Sequence, residues 1–240
     1  MLFEVKKQHL DTYGFLHSPI YFDFLETLVP PGKHSHAEIS LLRPVRLGET
    51  VKLTTQDNGE FFFHLENDLQ GKPTAAGSLH GSGSPLESTL NKISPASPSE
   101  WLLYETVEEQ PIGSIESGPN FGFGDAVEVL AKGRWRFCEQ TLGLTAKEIV
   151  KAGYAFVASR FEVLNLNPVP KAQIKSIRMR SRVDKVVRPN THLLIQFELI
   201  NEDNQESLTK GWMNIVSIQL ATGKPSDFPE HYWKFLKKSN

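Results

Sequence analysis

The chain is short of several things, and each scarcity excludes a class of protein. A single cysteine, Cys138, stands among 240 residues, so neither an internal disulfide framework nor a cysteine-based zinc site is available. No apolar run approaches the length of a membrane span. The opening Met1-Leu-Phe-Glu-Val-Lys-Lys7 lacks the basic-then-apolar layout of a signal peptide and reads as a strand. No Gly-x-Ser-x-Gly elbow occurs, and the Gly-x-Gly at 122–124 has neither a third glycine nor a preceding strand for a dinucleotide. His34-x-His36 points two imidazoles the same way on a strand, but no third ligand follows by spacing. The expectation is a cytoplasmic protein with no metal and no cofactor.

Charge of one sign is also lacking: the net charge is −2, and no aromatic interleaving accompanies the basic residues, which argues against nucleic acid. The distribution is uneven. Residues 100–130 hold seven acids and no Lys or Arg, whereas 131–188 hold 13 basic residues against four acids. Such polarity either steers an anionic ligand or an acidic protein, or forms a solvated face.

What is present is an ordinary globular composition, 39% hydrophobic and 10% aromatic. A Gly-, Ser- and Pro-rich stretch, 82–98, reads as a linker between a first unit at 1–81 and a second at 99–240. The first unit opens with an edge strand over Leu2–Gln8. Ser18-Pro19 marks a helix start, the serine as cap and the proline at the first helical position. Ile20, Tyr21, Phe24, Leu25 and Leu28 fall on one face, and Pro30-Pro31-Gly32 ends the helix. Strands follow at His36–Arg43, Glu49–Thr55, Glu60–Leu65 and Thr74–His80, with Asn58-Gly59 a hairpin signal.

The second unit repeats the plan with an insertion. Trp101–Val107 reads as its first strand. Asp125 is placed to cap a helix presenting Val127, Leu130, Ala131, Trp135 and Cys138 on one side, and Arg134–Ala152 is extra helical length. Thr145-Ala-Lys-Glu148 spells a capping box for a short helix that Gly153 would end. Extended segments follow at Ala155–Leu166, Ile174–Val187, His192–Ile200 and Leu208–Leu220. Pro44-Val45 and Pro168-Val169 occupy the same place between two strands, which points to duplication. One helix on one curved sheet buries little in about 80 residues, so such units need a partner, and joining sheets edge to edge supplies it.

Asp11-Thr-Tyr-Gly14-Phe-Leu-His17-Ser18-Pro-Ile-Tyr21, continuing to Glu26, resembles the opening of hotdog-fold thioesterases of the 4-hydroxybenzoyl-CoA thioesterase type. Asp11, Gly14, Tyr21 and Glu26 sit in register; Phe15 stands where that family has His, and His17-Ser18 where it has Asn-Asn. Gly133–Leu144 and Phe156–Arg160 are similar to the helix and first long strand of the same proteins. Asn120 corresponds to an Asn of the acyl-carrier-protein thioesterases, whose Asp and His become Gly118 and Gly122. The resemblance implies an α+β protein of two tandem hotdog units, each a long helix wrapped by a curved antiparallel sheet. It also implies an acyl-CoA or acyl-carrier-protein partner, no membrane, and association into a homodimer or higher.

Thioester hydrolysis needs an activated water or carboxylate, with donors for the oxygen that becomes negative. A helix amino terminus supplies such donors. Asp11, just before the α-helix, is the candidate base; its other reading is a turn residue. His17 is placed to orient water or bind substrate oxygen, and Asn120 to assist from the second unit. Gly14, Ser18, Tyr21 and Asp125 are candidate substrate contacts, Asp125 equally a simple cap. Arg178, Arg180 and Arg182 share one strand face, either to grip coenzyme A phosphates or an acidic carrier, or as a hydrated surface. A dehydratase or hydratase, and a non-catalytic acyl-binding protein, are the competing readings, the latter because both units depart from the family's polar landmarks.

Overall fold

Helix formation and burial set the centre of the molecule. The computed structural model describes residues 2–11, 13–26, 34–57, 61–67, 70–81, 104–108, 118–142, 145–165, 169–187 and 191–230. Helix α1, Ser18–Glu26, starts at Ser18 itself, with Pro19 in its first turn where no intrahelical N–H bond is lost. Every side chain from Pro19 to Leu25 is buried. The one-faced stripe expected from spacing therefore understates its burial: neighbours pack on all sides of α1.

The principal neighbour is α2, Phe123–Leu142. His17, just before α1, lies beside Glu128 of α2, while Glu26 at the far end of α1 meets Phe123, so the two helices run antiparallel. The short α3, Ala146–Lys151, carries the capping box its sequence spells: Thr145 Oγ1 accepts from Glu148 N–H at 3.2 Å, and Glu148 Oε2 accepts from Thr145 N–H at 2.7 Å. Gly153, at φ +86°, ends the turn that follows. Among the described residues no helix is long and apolar enough to cross a membrane.

Among the described residues eleven strands form one antiparallel sheet: β1 Leu2–Glu4, β2 His34–Leu41, β3 Thr50–Asp57, β4 Phe61–Asn67, β5 Lys72–Gly81, β6 Tyr104–Glu108, β7 Tyr154–Asn165, β8 Ile177–Val187, β9 His192–Asn201, β10 Ser207–Gln219 and β11 Lys224–Pro225. Their order is β1-β3-β4-β5-β2-β7-β10-β9-β8-β6, with β11 pairing β10. Read outward from the central β2–β7 pair, each half runs through the same succession. Glu38 faces Glu162 at the middle of that pair. The corresponding loops are tied alike, Leu16 N–H to Val45 carbonyl and Phe121 N–H to Val169 carbonyl, each at 2.8 Å.

On the face of the central strands turned from the helices, polar groups lock the halves together. Arg160 of β7 pairs with Glu38 of β2 and lies 5.0 Å from the Trp212 ring centre of β10. His36 Nε2 sits 3.2 Å from Glu162 Oε1, both buried, and stacks 5.3 Å from His80. On the inner face Phe22 of α1 meets Phe161 of β7 edge to face at 5.9 Å, within a single apolar cluster that spans both halves and both helices.

Most strand ends shift by one or two residues from the sequence expectation, and two shift further for a visible reason. The first strand ends at Glu4 rather than Gln8, because Lys7–His9 forms a 3₁₀ turn in which His9 Nδ1 accepts from Lys6 N–H at 3.0 Å. A similar turn at Lys171–Gln173 delays β8 from Ile174 to Ile177. The Asn58-Gly59 loop, Pro30-Pro31-Gly32, and the linker at 82–98 lie outside the described residues; β3 and β4, which flank the first of these, pair antiparallel from Val51↔Asn67 to Asp57↔Phe61.

Candidate functional site

A cavity of about 530 Å³ opens at the amino end of α1. It is lined by Asp11, His17 and Ser18 around the start of α1, by Leu130, Ala131 and Arg134 of α2, and by Tyr21, Phe156, Phe161 and Met213. An apolar cavity with a few convergent polar groups is the usual form of a small-molecule site.

Asp11 is committed to local structure. Its Oδ1 accepts from Tyr13 N–H at 2.8 Å and Phe15 N–H at 3.0 Å, while its carbonyl accepts from Gly14 N–H at 3.0 Å. Burial raises its pKa; the backbone donors and the nearby Arg134 oppose that rise. Gly14 supplies the positive φ, +77°, that closes this turn; it is exposed and does not line the cavity.

His17 stands one residue before α1 with its Nδ1 3.5 Å from Glu128 Oε2. Burial, followed by the positive charges of Arg134 and Lys132, lowers its pKa to about 4, so the imidazole is neutral at neutral pH. Glu128 is itself steadied by Lys132 Nζ at 3.7 Å, four residues along α2. A carboxylate facing Nδ1 favours a proton on that nitrogen and leaves Nε2 as the basic one. Ser18 lines the cavity as the first residue of α1, where helix N–H groups have no intrahelical acceptor. Tyr21 is almost wholly buried, and burial raises its pKa so that it stays protonated. Tyr13 packs 5.5 Å from Trp135, and its hydroxyl accepts from Phe156 N–H at 3.2 Å.

The other expected residues lie elsewhere. Asn120 is exposed, in a backbone bridge with Pro170 ahead of α2, at the opposite end of the helix pair from Asp11. Asp125 is fully buried in the first turn of α2, where Oδ2 accepts from Gly122 N–H at 3.0 Å and Oδ1 meets Lys171 Nζ at 2.8 Å. It is thus a reach-back cap held by a lysine, and it does not line the cavity. Arg178, Arg180 and Arg182 do share one face, as period-two geometry requires, but that face turns away from the core occupied by Ile177 and Met179. Arg178 pairs with Glu202, and Arg182 Nε donates to Gln196 Oε1 at 2.9 Å. The arginines that line the cavity are Arg43, Arg46 and Arg134.

Sequence alone does not mark Glu128, Ala131 and Arg134 as site residues. Their only linear signal is the i, i+3 spacing that puts them along one strip of α2. At the far end of that strip the situation is reversed: the Glu26 carboxylate of α1 accepts from the first N–H groups of α2, at Phe123 and Gly124, and burial together with the charges of Asp125 and Asp23 raises its pKa to about 7.

No family model and no curated protein sequence matches the chain. Solved structures do. The 12:0-ACP thioesterase from Umbellularia californica superposes with a TM-score of 0.58 at 10% identity, covering 91% of this chain and 93% of that one. A protein from Lactobacillus plantarum, named provisionally as an oleoyl thioesterase, gives 0.60 at 10% identity over 91% and 95%. A conserved protein of unknown function with a hot dog fold from Alicyclobacillus acidocaldarius gives 0.54 at 12% over 90% and 92%. With a helix pair laid against one long antiparallel sheet, and a match that runs nearly end to end, this chain has the hotdog fold.

Proposed function

We propose that the chain is a tandem double hotdog, units 1–81 and 99–240 joined by a linker at 82–98, that hydrolyses an acyl thioester of coenzyme A or an acyl-carrier protein. The single observation that carries the reading is the seating of His17, neutral and backed by Glu128, at the amino end of α1 and at the mouth of a largely apolar cavity. The thioesterases that share this fold over nine-tenths of the chain support the substrate class.

In this mechanism the acyl chain fills the space lined by Tyr21, Phe156, Phe161 and Met213, and the thioester carbonyl points at Ser18 N–H. Nε2 of His17 takes a proton from water as its oxygen attacks the carbonyl carbon. The oxygen that becomes negative is held by the helix terminus. Collapse of the tetrahedral intermediate breaks the carbon–sulfur bond, and the imidazolium returns its proton to the departing thiolate, giving a carboxylic acid and a thiol. Glu128 stabilises the transient imidazolium. The base is thus His17 rather than Asp11, because Asp11 spends Oδ1 on two backbone donors and holds the turn that places His17. Arg43, Arg46 and Arg134 replace Arg178, Arg180 and Arg182 as the groups positioned for an anionic carrier.

The test is a panel of acyl-CoA and acyl-carrier-protein thioesters with thiol detection, run on the full chain and on His17→Ala. Release of thiol that His17→Ala slows by roughly a hundredfold or more is the expected result. Tight acyl-CoA binding with no thiol release from any substrate would convert the reading to an acyl-binding protein, and hydration of a crotonyl thioester would convert it to a hydratase.

A further inference from the structure

The two helix ends of this fold are built alike but finished differently. Leu16 and Phe121 make the same backbone bond to Val45 and Val169, so each marks the same point ahead of its helix. Counting forward from these anchors, His17 corresponds to Gly122, Ser18 to Phe123, Asp23 to Glu128 and Glu26 to Ala131. The contacts obey that correspondence. Glu128 of α2 lies beside the start of α1, and Asp23 of α1 lies beside the start of α2, where a Cβ on Gly124 would collide with its Oδ1.

The difference sits at one pair of positions. At the start of α2, Glu26 fills the space: its carboxylate accepts from Phe123 and Gly124 N–H, and a Cβ on Gly122 would run into it. Gly122 N–H is taken by Asp125, whose other oxygen holds Lys171. The first turn of α2 is therefore satisfied from within the chain. At the start of α1 the corresponding residue is Ala131, whose methyl group reaches no donor, and the cavity occupies the space that a longer acidic side chain would take.

We infer that Glu26 and Ala131 decide which end of the helix pair is open: Glu26 is the built-in carboxyl ligand of the α2 amino terminus, and Ala131 leaves the corresponding space at the start of α1, where Ser18 supplies an N–H and Pro19 none, free for a substrate. The α2 end is an acyl-type site closed by its own chain, and the ligand class it accepts once emptied is a small carboxylate. Backbone N–H groups at a helix start bind such anions without a dedicated side chain. Only the identity of the α1 ligand rests on the thioesterase reading; the closure of the α2 end does not.

The experiment is an acetate titration of full-length wild type, Glu26→Ala and Glu26→Gln, followed by the backbone amide signals of Phe123 and Gly124 and by thermal midpoint. Glu26→Ala should show a saturable shift of both amides and a rise in midpoint with acetate. Wild type should show no shift of either amide and a smaller rise in midpoint than Glu26→Ala, and Glu26→Gln, whose amide oxygen can still accept from the same donors, should respond at these amides roughly tenfold more weakly than Glu26→Ala. A folded Glu26→Ala whose two amides ignore acetate overturns the inference. Should that variant not fold, Ala131→Glu decides: the Ser18 amide signal should move, and binding of a long-chain acyl-CoA probe should be lost. Unchanged Ser18 and unchanged probe binding in Ala131→Glu would overturn the inference as well. Acetate binding by Glu26→Ala in a protein that hydrolyses no thioester would leave the inference standing and remove only the enzymatic reading.

Discussion

Glu128 Oε2 lies 3.5 Å from His17 Nδ1, joining the second turn of α2 to the residue just before α1. Neither partner is informative alone. Together they give a neutral imidazole a defined tautomer in a cavity where burial and two nearby cations suppress its protonation.

With a pKa lowered to about 4, His17 is in its basic form throughout the neutral range, and under the proposed mechanism activity is lost only when acid protonates it. Thioester hydrolysis should therefore hold level from neutral pH downward and fall below roughly pH 5. His17→Ala should lower kcat by roughly a hundredfold or more. Glu128→Gln should lower kcat by about tenfold and shift the acid limb, with little change in KM. Steady-state rates across pH for the three proteins check this, and an acid limb unmoved by Glu128→Gln would leave Glu128 a structural residue.

Asp11 separates positioning from chemistry. Asp11→Asn keeps an oxygen that can accept from Tyr13 and Phe15 N–H, so stability and most turnover should survive. Asp11→Ala removes the acceptor and should cost about 1–2 kcal/mol. Urea midpoints and thiol-release rates on both variants decide. A well-folded Asp11→Asn without activity would return Asp11 to the role of base.

Glu26 makes stability depend on pH in the unusual direction for a carboxylate. Its pKa rises from an ordinary 4.5 to about 7 on folding, so the folded protein holds this proton where the unfolded chain has released it. The associated stability is complete below pH 4.5 and is lost as pH climbs through about 7. Glu26→Gln carries no such titration. The stability difference between variant and wild type should therefore shift in favour of the variant between acid and mildly alkaline pH, as read from urea unfolding at several pH values.

Gly211 of β10 tests the central packing. A Cβ there would collide with the Glu162 carbonyl of β7 and the Phe197 ring of β9. Gly211→Ala should destabilise the protein by about 1–3 kcal/mol, measured by chemical denaturation.

Much of this architecture is written locally. The Thr145 capping box, the Ser18-Pro19 helix start and the strands of both halves follow from short-range rules, and the match between Val45 and Val169 follows from a repeated dipeptide. The site is less legible because it is made between elements. Glu128, Ala131 and Arg134 gain meaning only from the antiparallel crossing of α2 over α1, which no periodicity specifies. Alternation placed Arg178, Arg180 and Arg182 on a common face; which face turned outward depended on Ile177 and Met179 entering the core. β1 is shorter than the sequence predicts because the bond from Lys6 N–H to the His9 ring competes with the ladder.

The contrast between Glu26 and Ala131 has a genetic consequence. Two identical chains related by a twofold axis must present the same residue at both helix ends, so a dimer of one repeated unit would have either two plugged ends or two vacant ones. In the proposed tandem arrangement, carrying both halves on one polypeptide would remove that bond between them, and would let mutation specialise one end for ligand while the other becomes internal bracing.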